Sequence, residues 1–305
     1  MIEAILLSIA GLIGLAIGGE FLVKGSVGIA QRLGVSTLVT GLVIVGFATS
    51  MPEMVASVQA VALGSPQIAW GNIAGSNIAN SLLILGATAL IAPIVLTGTG
   101  RRDAVVALLV SGVVLAIGVA QLASMWIGVA LLVLLVTYII WRYRHPRPDD
   151  EEEDENPPSW AGAIVFFLLG LGLLVGGGKL LVDGAIDLAR LAGISETVIG
   201  LTIVAIGTSL PELAASVAAA LRGKPGLALG NVVGSNIYNL LLIGGVTMIL
   251  APIAPPASLN DVEWPLVVGT ALMILLLFWF ASRISRLTGA AMLTGFVAFN
   301  AFLFL

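Results

Sequence analysis

Apolar residues run along this chain in blocks too long for a soluble helix, separated by short clusters of glycine, proline and charge. Ten blocks stand out, at 4–30, 37–62, 69–92, 104–120, 125–141, 161–189, 197–221, 228–251, 264–281 and 288–304. A hydrocarbon core of about 30 Å takes roughly 20 helical residues, so each block predicts a membrane span, the first and sixth long enough to tilt. None alternates with period two, which excludes a barrel and leaves helices that satisfy their own backbone groups in lipid.

Two of the blocks share an interruption. Gly46-Phe-Ala-Thr-Ser-Met-Pro-Glu53 sets a proline and a carboxylate inside an apolar run, and Ala205-Ile-Gly-Thr-Ser-Leu-Pro-Glu212 repeats it 159 residues later. Each copy is followed by a second shared stretch, Gly71-Asn-Ile-Ala-Gly-Ser-Asn-Ile-Ala-Asn80 and Gly230-Asn-Val-Val-Gly-Ser-Asn-Ile-Tyr-Asn239. Residues 41–94 align on 200–253 without a gap and with more than half of positions identical, so the chain is a duplication. Five spans, an odd number, separate the copies, and the second must cross the membrane upside down. The expected fold class is an all-α membrane protein of ten transmembrane helices, built as two inverted five-helix repeats over 1–141 and 160–305. An acidic linker, 142–159, joins them. Inverted repeats recur in secondary transporters, where the site lies near the bilayer midplane between the halves.

Composition agrees: 59% of the 305 residues are hydrophobic and 10% charged, against roughly 25% charge in soluble domains. The absence of cysteine excludes disulfides, thiolate metal sites and cysteine nucleophiles. The net charge of -4 says little about partners, because seven acids form the single run 149–155. The start, Met1-Ile-Glu-Ala-Ile, lacks a basic n-region, so the first helix is expected to be retained. Basic residues decide the orientation. With the N-terminus outside, Arg32, Arg101, Arg102, Arg142, Arg144, Arg147, Arg222, Lys224, Arg283 and Arg286 all fall on the cytoplasmic side, leaving Arg190 opposite. Both termini are then outside and the linker is cytoplasmic, in a multi-pass protein of a prokaryotic inner membrane.

The candidate chemistry follows from the interruptions. Pro52 and Pro211 lack the N–H that the carbonyl four residues back, Ala48 or Gly207, would receive, and freed carbonyls suit a hard cation. Thr49, Ser50, Thr208 and Ser209 add hydroxyl oxygens. Glu53 and Glu212 need a neutralising partner in the membrane, and no basic residue occupies their spans, so a cation or proton is expected. Ser76 and Asn80, and Ser235 and Asn239, lie four apart on one helix face. Gly71, Gly75, Gly230 and Gly234 are expected to let these faces approach the glutamates. Asn77 and Asn236 are expected to be structural.

The doubled pattern Gly-x-x-Thr-Ser-x-Pro-Glu and Gly-Asn-x-x-Gly-Ser-Asn-Ile-x-Asn resembles the sodium/calcium exchanger superfamily of cation antiporters, over the whole ten-helix plan. The resemblance implies that Glu53 and Glu212 are the central ion-binding carboxylates, with Asn80 and Asn239 at companion positions. It also implies oxygens from Thr49, Ser50, Ser76, Thr208, Ser209 and Ser235, with Gly46 and Ala205 contributing backbone only, and spans one and six sliding over the remaining eight. Many sodium/calcium exchangers carry aspartate where this chain has Asn239. Two carboxylates balance one Ca²⁺, two Na⁺ or two H⁺, which predicts electroneutral exchange or protons in place of sodium.

The expected activity is therefore antiport of Ca²⁺ against Na⁺ by alternating access, with Ca²⁺/H⁺ or another cation/proton exchange as the alternative and a cation channel as the rival class. A channel filter usually needs a ring of subunits, whereas this chain carries both halves of a site, so a monomer is the expected unit. Hydrolase chemistry is excluded by the lack of cysteine, of intramembrane histidine and of a Gly-x-Ser-x-Gly turn. No cofactor and no nucleic acid are expected; lipid and the transported ions are the partners. Glu20 with Lys24, and Lys179 with Asp183, predict intrahelical ion pairs. Asp187 is expected to reach the outer interface without a partner, His145 the headgroup region, and the acidic run to be a solvated linker.

Overall fold

The computed structural model describes residues 1–96, 100–145, 158–193 and 205–303. The acidic run and Arg147 lie outside them, as does the stretch 194–204 that opens the expected span 197–221.

The first block forms α1 (Ile2–Leu33), which ends at Gly34 with φ 64°, a left-handed turn that glycine adopts without a steric penalty. The second is broken into α2 (Thr37–Thr40), a π-helical segment π1 (Gly41–Val45), α3 (Gly46–Thr49) and α4 (Met51–Ala62), with a bend of 41° after Thr49. The third is α5 (Pro66–Ile78), π2 (Ala79–Ile84) and α6 (Leu85–Ile91). Next come α7 (Arg101–Val119), α8 (Met125–Arg144) and α9 (Trp160–Leu191). The repeat of the broken span is α10 (Ala205–Gly207) and α11 (Leu210–Leu221). It is followed by α12 (Pro225–Tyr238), π3 (Asn239–Ile243) and α13 (Gly244–Leu250). The chain closes with α14 (Glu263–Phe280) and α15 (Arg286–Leu303). Among the described residues seven helices are long and apolar enough to cross a membrane, or eight if the bent pair counts as one span. One element departs from all-α: Ile94–Val95 and Arg283–Ile284 pair as a two-residue antiparallel ribbon.

Two rods, Pro66–Ile91 and Pro225–Leu250, form the centre. Their most apolar windows are 78% and 83% buried, against 28% and 22% for α1 and α9, which lie at the periphery. Trp70 of one rod packs edge-on against Trp264 of α14, and its Nε1 donates to the Ile253 carbonyl at 3.1 Å. The peripheral pair runs antiparallel in close contact. A Cβ at Gly11 would sit 2.5 Å from the Leu181 nitrogen, and one at Gly177 2.8 Å from that of Leu15, so only glycine permits this spacing.

Arg142, expected in a solvent-facing turn, is buried instead. It is 1% exposed at the end of α8 and pairs with Asp103 of α7 at 2.8 Å, while the Tyr138 hydroxyl donates to the same carboxylate oxygen at 2.8 Å. A buried charge is tolerated only when paired, so the two helix ends are held together here rather than splayed into solvent.

The expected intrahelical pairs give way to contacts between elements. Glu20 accepts from Arg222 at the end of α11, and Lys24 lies 4.3 Å from the centre of the Phe166 ring on α9. Asp187 does have a partner, Arg190 at 3.8 Å, one turn along α9. Lys179 and Asp183 form no ion pair with each other. His145 is exposed at the end of α8, its Nδ1 3.0 Å from the Trp141 carbonyl.

Candidate functional site

The two prolines do not kink continuous helices. Each is the second residue of a new half-helix, a place where its missing N–H is not needed. Ser50 (φ -80°, ψ 3°) and Ser209 (φ -92°, ψ 4°) are the joints, in the bridge region of backbone space. Glu53 and Glu212 therefore sit in the first turn of α4 and α11, where unpaired N–H groups favour a negative charge. Each carboxylate takes a hydrogen bond from its own backbone N–H. Both are buried, at 2% and 1% exposure.

Packing brings the halves together crosswise. The α4 helix of Glu53 packs against π3, which begins at Asn239, and the α11 helix of Glu212 packs against π2, which holds Asn80. The two glutamates are close enough to interact electrostatically, and the Thr49 hydroxyl faces the Glu212 carboxylate. The π segments begin only at Ala79 and Asn239, and the Asn239 N–H still donates to the Ser235 carbonyl, so Ser235 and Asn239 keep their i,i+4 relation on one helix face.

Several oxygens on these elements are left without a hydrogen-bond partner. Ser50 Oγ, Glu53 Oε2, Asn80 Oδ1, Glu212 Oε2, Ser235 Oγ and Asn239 Oδ1 are all buried and have no hydrogen-bond partner. Leaving one such group unpaired costs about 1–3 kcal/mol, and more for a carboxylate. A hard cation, which takes six to eight oxygens, satisfies such a set. Among the described residues no third carboxylate, histidine or cysteine joins the pair.

The other candidates divide. Ser76 and Ser209 are buried, and Thr208 is half-buried. Gly46 keeps its carbonyl on Ser50 N–H at 3.1 Å; its distinctive property is spacing, since a Cβ there would lie 3.0 Å from the Ser235 nitrogen. Ala205 opens α10. Gly230 and Gly234 pack against the backbone of Leu38 and Leu42 as expected. Gly71 and Gly75 have no described atom within 4 Å of an added Cβ, and the repeat-related stretch 197–204 lies outside the described residues. Asn77 donates to the Ile73 carbonyl at 2.7 Å and Asn236 to Ser81 Oγ at 2.9 Å, although the Oδ1 of each is unpartnered.

Sequence reasoning passed over Asn72 and Asn231, although both stand in the repeated Gly-Asn. Asn72 Nδ2 donates to the Glu53 carbonyl at 3.3 Å and to Ser57 Oγ at 3.0 Å. Asn231 Nδ2 donates to the Glu212 carbonyl at 3.2 Å and to Ser216 Oγ at 2.9 Å. Each asparagine thus ties the first turn of a glutamate helix to the central rod. Asn231 does more: its Oδ1 lies 3.1 Å from Thr49 Oγ1, bridging the repeats. A second clamp is one-sided. The Tyr238 hydroxyl donates to the Val43 carbonyl in π1 at 3.0 Å and its ring packs on Phe47, where the repeat-related position holds Ala79.

A cavity of about 210 Å³ meets the interruptions, lined by Pro52, Gly207, Thr208 and Pro211 on one side and by Val175, Gly178, Lys179 and Val182 of α9 on the other.

Comparison with known proteins matches residues 3–144 and 162–305 to the family described as sodium/calcium exchanger protein. The chain is 30% identical to the sodium/calcium exchanger MaX1 of Methanosarcina acetivorans, with 98% of each chain covered. It is 39% identical to a membrane protein of Methanocaldococcus jannaschii over 94% of this chain and 93% of that one. Among solved structures it superimposes on the sodium-calcium exchanger NCX_Mj, soaked with zero Na⁺ and Ca²⁺, with a TM-score of 0.88 at 35% identity over 99% of both chains.

Proposed function

Since the chain belongs to the sodium/calcium exchanger family, we propose that it is a secondary antiporter exchanging Ca²⁺ for Na⁺ through one shared midplane site that faces the two sides of the membrane alternately. The observation that carries this is the set of buried oxygens without hydrogen-bond partners on the broken helices and central rods, Glu53 and Glu212 among them. Asn80, Asn239, Ser50 and Ser235 complete it, with Thr49, Ser76, Thr208, Ser209, Gly46 and Ala205 around them. Both ions need the same carboxylates, so occupancy by one excludes the other, and only a neutralised site moves between states.

The architecture that serves this is ten spans as two inverted repeats, 1–141 and 160–305, with the linker 142–159 cytoplasmic and both termini outside. The unit is a monomer in a prokaryotic inner membrane. The antiparallel α1/α9 pair is the part that slides, since it touches the rest through a peripheral face. Two carboxylates rather than three favour electroneutral exchange, with two Na⁺ or two H⁺ per Ca²⁺.

The test is calcium uptake into proteoliposomes with sodium and proton gradients imposed separately. Sodium-driven uptake is expected in the native protein and is lost in Glu53→Gln and in Glu212→Gln, both of which retain their fold. Near-native uptake in either variant removes the core of the proposal, and uptake driven by protons alone selects the second ion pair.

A further inference from the structure

The half-helix α11 carries Glu212 on one face and an apolar stripe on another. Leu210, Leu213, Ala214, Val217, Ala218 and Leu221 recur at i, i+3, i+4, i+7, i+8 and i+11, and all six line a cavity of about 390 Å³. Leu12 and Ala16 of α1, and Ala87 and Ile91 of α6, line it as well. This trough lies where the hydrophobic cluster around α1 and α9 meets the central one: Leu210, Ala214 and Ala218 pack on the first and Leu213 on the second. Its rims are open, Leu12 being 56% exposed, Ile91 47% and Leu221 64%. At 1.5 Å per residue the stripe is about 16 Å long, close to the hydrocarbon depth of one leaflet, about 15 Å.

The bilayer is as apolar as the trough, so hydrophobicity alone does not select an occupant; close packing and a polar contact at the mouth do. Both are present. Ala214 and Ala218 deepen the base, whereas the repeat-related stripe on α4 has Val55 and Gln59 in their places. Two arginines adjoin the end marked by Ile91 and Leu221: Arg286 Nη2 lies 3.5 Å from the Ile91 carbonyl, and Arg222 follows Leu221. Glu20 of α1 accepts from Arg222 Nη2 and offsets one of the two charges, while the Arg222 side chain remains 40% exposed. The ribbon leading into this end, Ile94–Val95 with Arg283–Ile284, adds Arg283 and no acid.

We propose that this trough binds one acyl chain of a phospholipid with a net negative headgroup, the chain lying along α11 and the phosphate meeting Arg286 and Arg222. The forked N–H donors of a guanidinium suit phosphate oxygens, and Arg222 keeps donors besides the one given to Glu20. A chain seated there fills the seam between α1 and α11, so lipid becomes part of the contact between the peripheral pair and the central elements. Binding at the trough is independent of which ions the protein exchanges.

The experiment places the purified full chain in vesicles doped with phosphatidylglycerol or phosphatidylcholine carrying a diazirine in one acyl chain, and maps the cross-linked peptides by mass spectrometry after irradiation. Phosphatidylglycerol labels the trough residues of α1, α6 and α11 about fivefold more than phosphatidylcholine, the preference that one uncompensated arginine gives near a membrane surface. Arg286→Gln removes most of that preference without altering the trough, and added salt weakens it. Ala16→Phe fills the trough from its exposed rim and removes the labelling there, while the lipid-facing residues of α8 are labelled as before and the thermal transition is unchanged. Gln59→Phe, at the position related to Ala218, leaves trough labelling intact. Equal labelling by the two phospholipids, or no effect of Arg286→Gln, overturns the headgroup assignment. Trough peptides labelled no more than α8, or unchanged in Ala16→Phe, overturn the site. A diazirine fatty acid that labels the trough as strongly as phosphatidylglycerol overturns the phospholipid as its occupant.

Discussion

Replacing Asn231 by alanine removes more than replacing Asn72, although the two occupy equivalent places in the duplicated motif. Asn231 is 1% exposed and joins three partners: the Glu212 carbonyl at 3.2 Å, Ser216 Oγ at 2.9 Å and Thr49 Oγ1 at 3.1 Å. Thr49 retains the Val45 carbonyl at 3.0 Å, so its share of the loss is partial. At about 1 kcal/mol net per hydrogen bond, Asn231→Ala costs about 3 kcal/mol, with no water at hand to replace the amide. Asn72 is only partly buried and makes two bonds, at 3.3 and 3.0 Å, so Asn72→Ala costs about 1 kcal/mol once water substitutes. At roughly 2–3 °C per kcal/mol for a chain of this size, the melting temperatures fall by about 6–9 °C and about 2–3 °C. Tryptophan fluorescence of the purified protein follows the transition through its six indoles. Because Asn231 also fixes the turn bearing Glu212 against Thr49, its loss raises the KM for Ca²⁺ as well. An equal or larger drop for Asn72→Ala refutes the claim that the second copy of the motif is the bridge between repeats.

Further outcomes follow from the same contacts. Asn239→Asp adds a third carboxylate, so calcium accumulation becomes dependent on membrane potential, by about 2.3 kcal/mol per 100 mV for one net charge, where the native protein is insensitive; potential-dependent accumulation in the native protein rules out electroneutral exchange. Asp103→Leu strands the buried Arg142 and costs about 3–5 kcal/mol, most of it recovered in Asp103→Leu with Arg142→Met. A double variant no more stable than Asp103→Leu, measured by thermal unfolding, refutes the account of that pair.

Much of this protein is written in its sequence because its chemistry breaks local rules. Proline and glutamate inside apolar blocks, twice, mark the interruptions and Glu53 and Glu212, and the odd number of spans between copies implies inversion. Apolar length alone locates the helices, since lipid demands that each span satisfy its own backbone. Other features depend on contacts between residues far apart in the chain. Lipid is as apolar as a protein core, so no periodicity tells the central rods Pro66–Ile91 and Pro225–Leu250 from the peripheral α1 and α9. The π segments that begin at Ala79 and Asn239 carry no residue signature beyond that of the helix around them. Arg142 reads as a solvent-facing charge until Asp103 is brought against it, and Glu20 reads as the partner of Lys24 until α11 delivers Arg222. Local pattern marked the apolar blocks and the acids; tertiary packing decided which charges are cancelled and by which partner.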